Sequence, residues 1–127
     1  MRRPIKLLVL GLLGATTLAT AQEWPRRHIT LIVPNAVGSA PDIIARMIGQ
    51  KLSEAWGPQV VVDNRAGAGG ALGSDVVAKS APDGYTLLMS TIGSHGINPV
   101  MLKDIPYDAV KDFTPIGLAL WNAFVIS

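Results

Sequence analysis

His28-Ile29-Thr30-Leu31-Ile32-Val33-Pro34 runs straight into Asn35-Ala36-Val37-Gly38-Ser39-Ala40-Pro41, and this join decides the fold. A short apolar strand ends in a loop of small, donor-rich residues, and the loop opens a helix. The same join recurs twice. Val60-Val61-Val62-Asp63 leads into Asn64-Arg65-Ala66-Gly67-Ala68-Gly69-Gly70, and Thr86-Leu87-Leu88-Met89 leads into residues 90–98. In an α/β sheet such loops share one edge, where backbone N–H groups and helix N-termini are offered to whatever binds there.

The connecting segments read as helices. Ile43, Ile44, Met47, Ile48, Leu52, Ala55 and Trp56 recur at helical spacing, with Arg46, Gln50 and Glu54 opposite. Pro41 suits the first turn, Asp42 complements the positive end of the helix dipole, and Gly57-Pro58 ends the run. Val60-Val61-Val62 is β-branched throughout, as expected of a strand covered on both faces. A second helix is expected over about residues 70–80, with Leu72, Val76 and Val77 inward and Gly69 and Gly73 allowing close packing on the sheet. Ala81-Pro82-Asp83-Gly84 makes a turn before the third strand. Beyond Asn98-Pro99 the chain reads as irregular, with one helical turn at 108–112 and a further strand over 113–121.

The first residues point outside the cytoplasm. Arg2, Arg3 and Lys6 form a positive n-region, residues 7–18 an apolar core, and Ala19-Thr20-Ala21 a small-residue cleavage site. The apolar run is shorter than the ~20 residues a membrane-spanning helix needs. We therefore expect a cleaved signal peptide over 1–21 and a periplasmic protein. With no cysteine, disulfides, thiolate metal sites and a lipid anchor on cysteine are excluded.

Charge follows the same division. The formal +2 comes from the leader: removing its three cations from 11 Lys+Arg leaves 8 against 9 Asp+Glu, a net −1. No basic cluster with interleaved aromatics remains, which argues against nucleic-acid binding. His28 and His95 are the only histidines, too few for a metal site of ordinary composition, and no cofactor is expected. The chain stops at Ser127 inside an apolar run, so residues 22–121 are expected to form an incomplete first lobe and 122–127 the start of a hinge into a second.

A β-α-β-α-β run with right-handed crossovers allows few topologies. If the strand order is 2-1-3, the switch point lies between strands 1 and 3, and a ligand crevice forms between 35–41 and 90–98, flanked by 67–70. Catalytic templates fit poorly. In Gly67-Ala68-Gly69-Gly70-Ala71-Leu72-Gly73 a leucine stands at the third glycine of a dinucleotide fingerprint, so a Rossmann oxidoreductase fragment is a distant alternative. Ile92-Gly93-Ser94-His95-Gly96 fails the first position of G-x-S-x-G, and in an extended chain Ser94 and His95 would point apart.

These blocks, in order, resemble the opening of the Bug-type (TctC) extracytoplasmic solute receptors. The resemblance is carried by 28–34 with Gly38, Asp42 and Ala45-Arg46, and by Val61-Val62-Asp63-Asn64-Arg65 with Gly67-Ala68-Gly69-Gly70. It continues through Ala81-Pro82-Asp83-Gly84-Tyr85-Thr86-Leu87-Leu88, Asn98-Pro99, Pro106-Tyr107-Asp108 and Lys111-Asp112-Phe113. It implies an α/β fold: a periplasmic-binding-protein-like lobe with a mostly parallel sheet, truncated before the second lobe. It also implies a monomeric receptor, when complete, that closes on a small carboxylate and serves the membrane permease subunits of a tripartite tricarboxylate-type transporter. A receptor feeding a sensor kinase is the alternative. One departure is that Gly38-Ser39 stands where the family usually has a Gly-Gly pair, which leaves the anion's identity open.

The resemblance and the switch-point geometry give one set of site residues: Ala36, Val37, Gly38, Ser39, Gly67, Ala68, Ser90, Thr91, Ser94, His95 and Asn98. The N–H groups of Gly38 and Ser39 are expected to hold one carboxylate, and the hydroxyls of Ser90, Thr91 and Ser94 to hold the other or complete the shell, with His95 and Asn98 nearby. Three charge-assisted hydrogen bonds contribute about 5–9 kcal/mol gross. A micromolar site needs about 8 kcal/mol after the cost of association, so one open lobe binds weakly or not at all. Asp42 is expected as a helix-start residue, and Asp63 with Arg65 as a loop-shaping pair.

Overall fold

The computed structural model describes residues 24–121. The leader expected over 1–21 and the hinge start expected over 122–127 lie outside the described residues. In chain order the elements are β1 (Ile29–Val33), α1 (Ala40–Trp56), β2 (Val60–Asn64), α2 (Ala71–Ala78), β3 (Thr86–Leu88) and α3 (Asn98–Met101). A single tight turn, Ala68–Gly70, precedes α2, and a π-helical turn, Gly93–Ile97, precedes α3.

The sheet has the order β2-β1-β3 and both pairings are parallel. Leu31 stands between Val62 on one side and Leu87 on the other, so the register brings all three strand ends to one rim. Main-chain pairing continues past the strands, with Arg65 N–H donating to Val33 O (2.8 Å) and Met89 N–H to Ile32 O (2.9 Å). The core is built on the central strand: Ile29, Leu31 and Val33 are buried with Ala45 and Val60, and Leu52, Val62, Tyr85, Leu87 and Met89 close around them.

Both longer helices bury only part of the expected apolar face. Leu52 packs on the core and Gly73 approaches the sheet closely, as expected, but each helix is turned so that several large apolar residues are exposed. On α1 the buried positions are Asp42, Ala45 and Gly49, whereas Ile43 and Met47 are 52% and 64% exposed. Small residues decide this. A Cβ on Gly49 would lie 3.3 Å from Val60 Cγ1, so the helix sits closer to β2 than a larger side chain would permit. On α2 the buried positions are Ala71, Gly73 and Ser74, while Leu72 is 58% exposed and Val76 42%. Gly73 packs against Pro34 and the Arg65 carbonyl, and that contact turns Leu72 and Val76 outward.

The strand expected over 113–121 does not form. The segment is irregular, and residues 114–121 are exposed, because no partner strand lies beside it among the described residues. The turn expected at 108–112 is present, with Asp112 N–H donating to Asp108 O (3.1 Å). The Asp108 carboxylate accepts from Lys111 and Val110 N–H, which holds its pKa below the usual value. At the opposite rim Trp24 packs on Trp56 (ring centroids 5.1 Å apart) and Tyr85, anchoring the chain's entry to β1.

Candidate functional site

Three loops meet at the C-terminal rim of the sheet. The first, residues 34–39, is shaped by a carboxylate from the helix it opens. Asp42 is 2% exposed, and its Oδ2 accepts from Gly38 N–H (2.8 Å) and Arg46 Nε (3.2 Å). Its Oδ1 takes Asn64 Nδ2 (3.0 Å) and the Arg46 Nη2 ion pair (3.0 Å). Asn64 Nδ2 also donates to Asn35 O (3.1 Å), so one buried node ties the first loop to the end of β2. The Gly38 amide, reinforced by Arg46 and Asn64, lowers the Asp42 pKa to about 2. Asp42 is thus more than the helix-start residue expected of it.

The same node revises the expected donors. Gly38 N–H is committed to Asp42, and both Ser39 N–H (3.2 Å) and Ser39 Oγ (2.7 Å) donate to Ala36 O. The grip expected from the Gly38 and Ser39 amides is therefore spent inside the loop. Among the described residues, the N–H groups of Ala36 and Val37 have no acceptor in the chain, and both residues are exposed.

The second loop, 65–70, leaves β2 with Arg65 Nε paired to Asp63 Oδ2 at 2.9 Å, the loop-shaping role expected of that pair. Gly67 and Ala68 are exposed at its tip. The third loop, 89–98, leaves β3 with Ser90 exposed and Thr91 half-buried. Ser94 is fully buried. Its Oγ donates to Thr91 O (3.1 Å), accepts from Thr91 N–H (3.1 Å) and lies 3.0 Å from His95 Nδ1. Ser94 and His95 therefore do not point apart. The segment is helical, where successive side chains diverge by roughly 100° rather than the roughly 180° of an extended chain, so the Ser94 hydroxyl can reach the adjacent ring nitrogen.

His95 packs edge-on to Phe113 (centroids 4.6 Å) and beside Tyr107, whose hydroxyl donates to Ser94 O. Burial lowers the His95 pKa. Asn98 is 7% exposed, and its amide donates to Ala68 O (3.3 Å) and Gly69 O (3.0 Å), joining the third loop to the second.

The structure thus gathers the expected residues on one rim but divides them. Ala36, Val37, Gly38, Gly67, Ala68 and Ser90 present exposed surface, Ser39, Thr91 and His95 are half-buried, and Ser94 and Asn98 are interior bracing. Asp42, Arg46, Asn64 and Tyr107 are the residues that the sequence did not place there. The spacing of Asp42 and Arg46, four apart on one helix face, was a readable signal for part of that node. No metal-ligating cluster occurs among the described residues, and no described helix is long and apolar enough to cross a membrane. Among the described residues, one groove of about 500 Å³ lies between α1 and β2, and one of about 410 Å³ lies where the second loop leaves β2, between Asn64–Ala66 and the Leu72 and Val76 side of α2. At the rim Ala36–Gly38, Ala66–Gly69 and Ser90 are exposed.

Residues 44–126 match the family model described as the tripartite tricarboxylate transporter family receptor. The chain is 39% identical over 117 residues to Protein BugT of Bordetella pertussis, covering 88% of this chain and 36% of BugT. Among solved structures it is similar to MatC from Rhodopseudomonas palustris with bound malate, with TM-score 0.69 and 38% identity over 72% of this chain and 31% of that one. It is also similar to R. palustris Rpa4515 with adipate, with TM-score 0.66 and 40% identity over 68% of this chain and 29% of that one. The chain spans a little over a third of the length of the curated relatives it matches: 38%, 35% and 36% for three of them. Matching order, parallel sheet and family model together lead to one conclusion: the chain belongs to the Bug-type tripartite tricarboxylate transporter receptor (TctC) family.

Proposed function

We propose that this chain supplies the first lobe of a periplasmic solute receptor that binds a small carboxylate and passes it to the permease subunits of a tripartite transporter. On this reading residues 1–21 are a cleaved leader, 22–121 the first lobe and 122–127 the approach to a second. The protein binds and does not transform its ligand.

One observation carries the reading: three parallel strands deliver three amide- and hydroxyl-rich loops to a single open rim. The malate and adipate seen in similar receptors are the ligand chemistry such a rim suits. The free N–H groups of Ala36 and Val37 lie on one loop, and the Ser90 and Thr91 hydroxyls on another. Ser94, Asn98 and Asp42 hold the loops in place from beneath. Each charge-assisted hydrogen bond contributes roughly 1.5–3 kcal/mol. A single wall of such donors holds a carboxylate weakly, and tight binding requires a facing wall.

The test is a chimera in which this segment replaces the matching part of BugT. A thermal-shift series of mono-, di- and tricarboxylates should raise the melting midpoint for at least one of them, without turnover. Substituting Ser90 and Thr91 together by alanine should remove the rise. An unchanged response in that variant contradicts the site, and no response to any carboxylate contradicts the function.

A further inference from the structure

The second loop is the most strained segment of the described chain. Four consecutive residues take positive φ: Gly67 (137°), Ala68 (47°), Gly69 (62°) and Gly70 (93°). Three are glycines, for which this region is open. Ala68 is the one described non-glycine residue with positive φ, and its Cβ makes that conformation costly. Strain of this kind persists only where the surroundings impose it.

Asn98 supplies that restraint. Its side chain is almost fully buried and donates to the carbonyls of Ala68 and Gly69, the two residues at the centre of the turn. The fit is close, since a Cβ on Gly69 would lie 2.9 Å from Asn98 Oδ1. Adjacent contacts are as tight. The Gly70 Cβ position is 3.1 Å from Ser94 Cβ, and that of Gly93 is 3.3 Å from Gly69 O.

We infer that Asn98 is a positioning residue that latches the left-handed turn of the second loop onto the third and so fixes where the exposed Gly67 and Ala68 amides stand at the rim. The side chain is spent on this bracing and does not reach the ligand. The inference deepens the proposed carboxylate site and rests on that reading for its functional meaning, but the latch itself can be measured without a ligand. Both donors serve one turn, so removing them loosens that turn selectively. The strain at Ala68 makes the two positions interdependent.

The experiment is a double-mutant cycle on the full 127-residue chain with N98A, A68G and the pair, read by amide hydrogen exchange and melting midpoint. Gly70 N–H, bonded to Gly67 O at 2.9 Å, reports the turn, and Met89 N–H, bonded to Ile32 O in the sheet, is the control. N98A should speed Gly70 exchange roughly tenfold or more relative to Met89, the loss of two net hydrogen bonds. A68G alone should raise the midpoint by roughly 2–6 °C. In the pair, the Asn98 penalty at Gly70 should shrink several-fold.

Equal acceleration at Gly70 and Met89, an identical Asn98 penalty in both backgrounds, or a lowered midpoint in A68G overturns the latch. If N98A fails to fold, N98D keeps the side-chain volume while losing the donors and should show the same selective loosening; its global unfolding also overturns the inference. The carboxylate series on the BugT chimera separates the two layers. A coupled cycle with no carboxylate response in the chimera leaves the latch standing and removes the carboxylate reading.

Discussion

Asp42 shows how one side chain can rewrite the chemistry of a loop. A helix N-terminus beside a loop of small residues ordinarily offers its amides to an external anion. Here the helix brings its own carboxylate one turn in, and Gly38 N–H is satisfied from within. The sequence made the donors legible, but not their occupancy. Whether an aspartate turns outward or back over the loop depends on Asn64 and Arg46, and Asn64 arrives from another strand. Ser94 and His95 meet rather than point apart for a similar reason, since their geometry follows from a π-helical turn that has no distinct sequence pattern. The pH dependence follows from the Asp42 node. Its carboxyl has a folded pKa of about 2 against an ordinary 3.8, so its stabilisation is complete above 3.8 and is lost as pH falls toward 2. The Gly38 amide shift, followed by NMR, should titrate near the lower value. Titration at the ordinary value would show that the carboxylate is free of the loop.

Secondary structure elements were legible by type and less so by face. Hydrophobic periodicity found β1, α1, β2, α2 and β3 in order, because strand and helix repeats differ plainly. It found only part of each buried face: Leu52 and the close packing at Gly73 stand as expected, but Ile43, Met47, Leu72 and Val76 are exposed because the tightest contacts are made by small residues. The expected strand over 113–121 failed on a different ground: alternation fits a sequence for a ladder, but hydrogen bonds need a neighbour. Small-residue packing predicts a sharp sensitivity in α2. An added Cβ at Gly73 would fall 2.9 Å from the Arg65 carbonyl and 3.0 Å from Pro34 Cα, both main-chain atoms that cannot swing aside. Gly73→Ala should therefore cost about 1–3 kcal/mol despite its better helix propensity, seen as a lowered midpoint in chemical denaturation. A stabilised variant would mean that α2 does not approach the sheet this closely.

For the molecule as a whole, topology carries the functional meaning. Parallel pairing in the order β2-β1-β3 places every strand-to-helix loop on one rim, and buried polar side chains then join those loops into a single surface. Asp42 and Asn64 bind the first loop to β2, and Asn98 binds the second to the third. The rim was foreseeable from three repeated strand-loop joins, whereas its bracing was not, since each brace spans residues 22 to 30 apart in the chain. The most direct measurement is amide chemical-shift mapping of the 127-residue chain titrated with malate. The account predicts weak, millimolar-range changes confined to residues 35–40, 66–70 and 90–95, with the opposite rim at Trp24 and Tyr85 silent. Changes centred on that opposite rim, or tight binding by this single lobe, would contradict it.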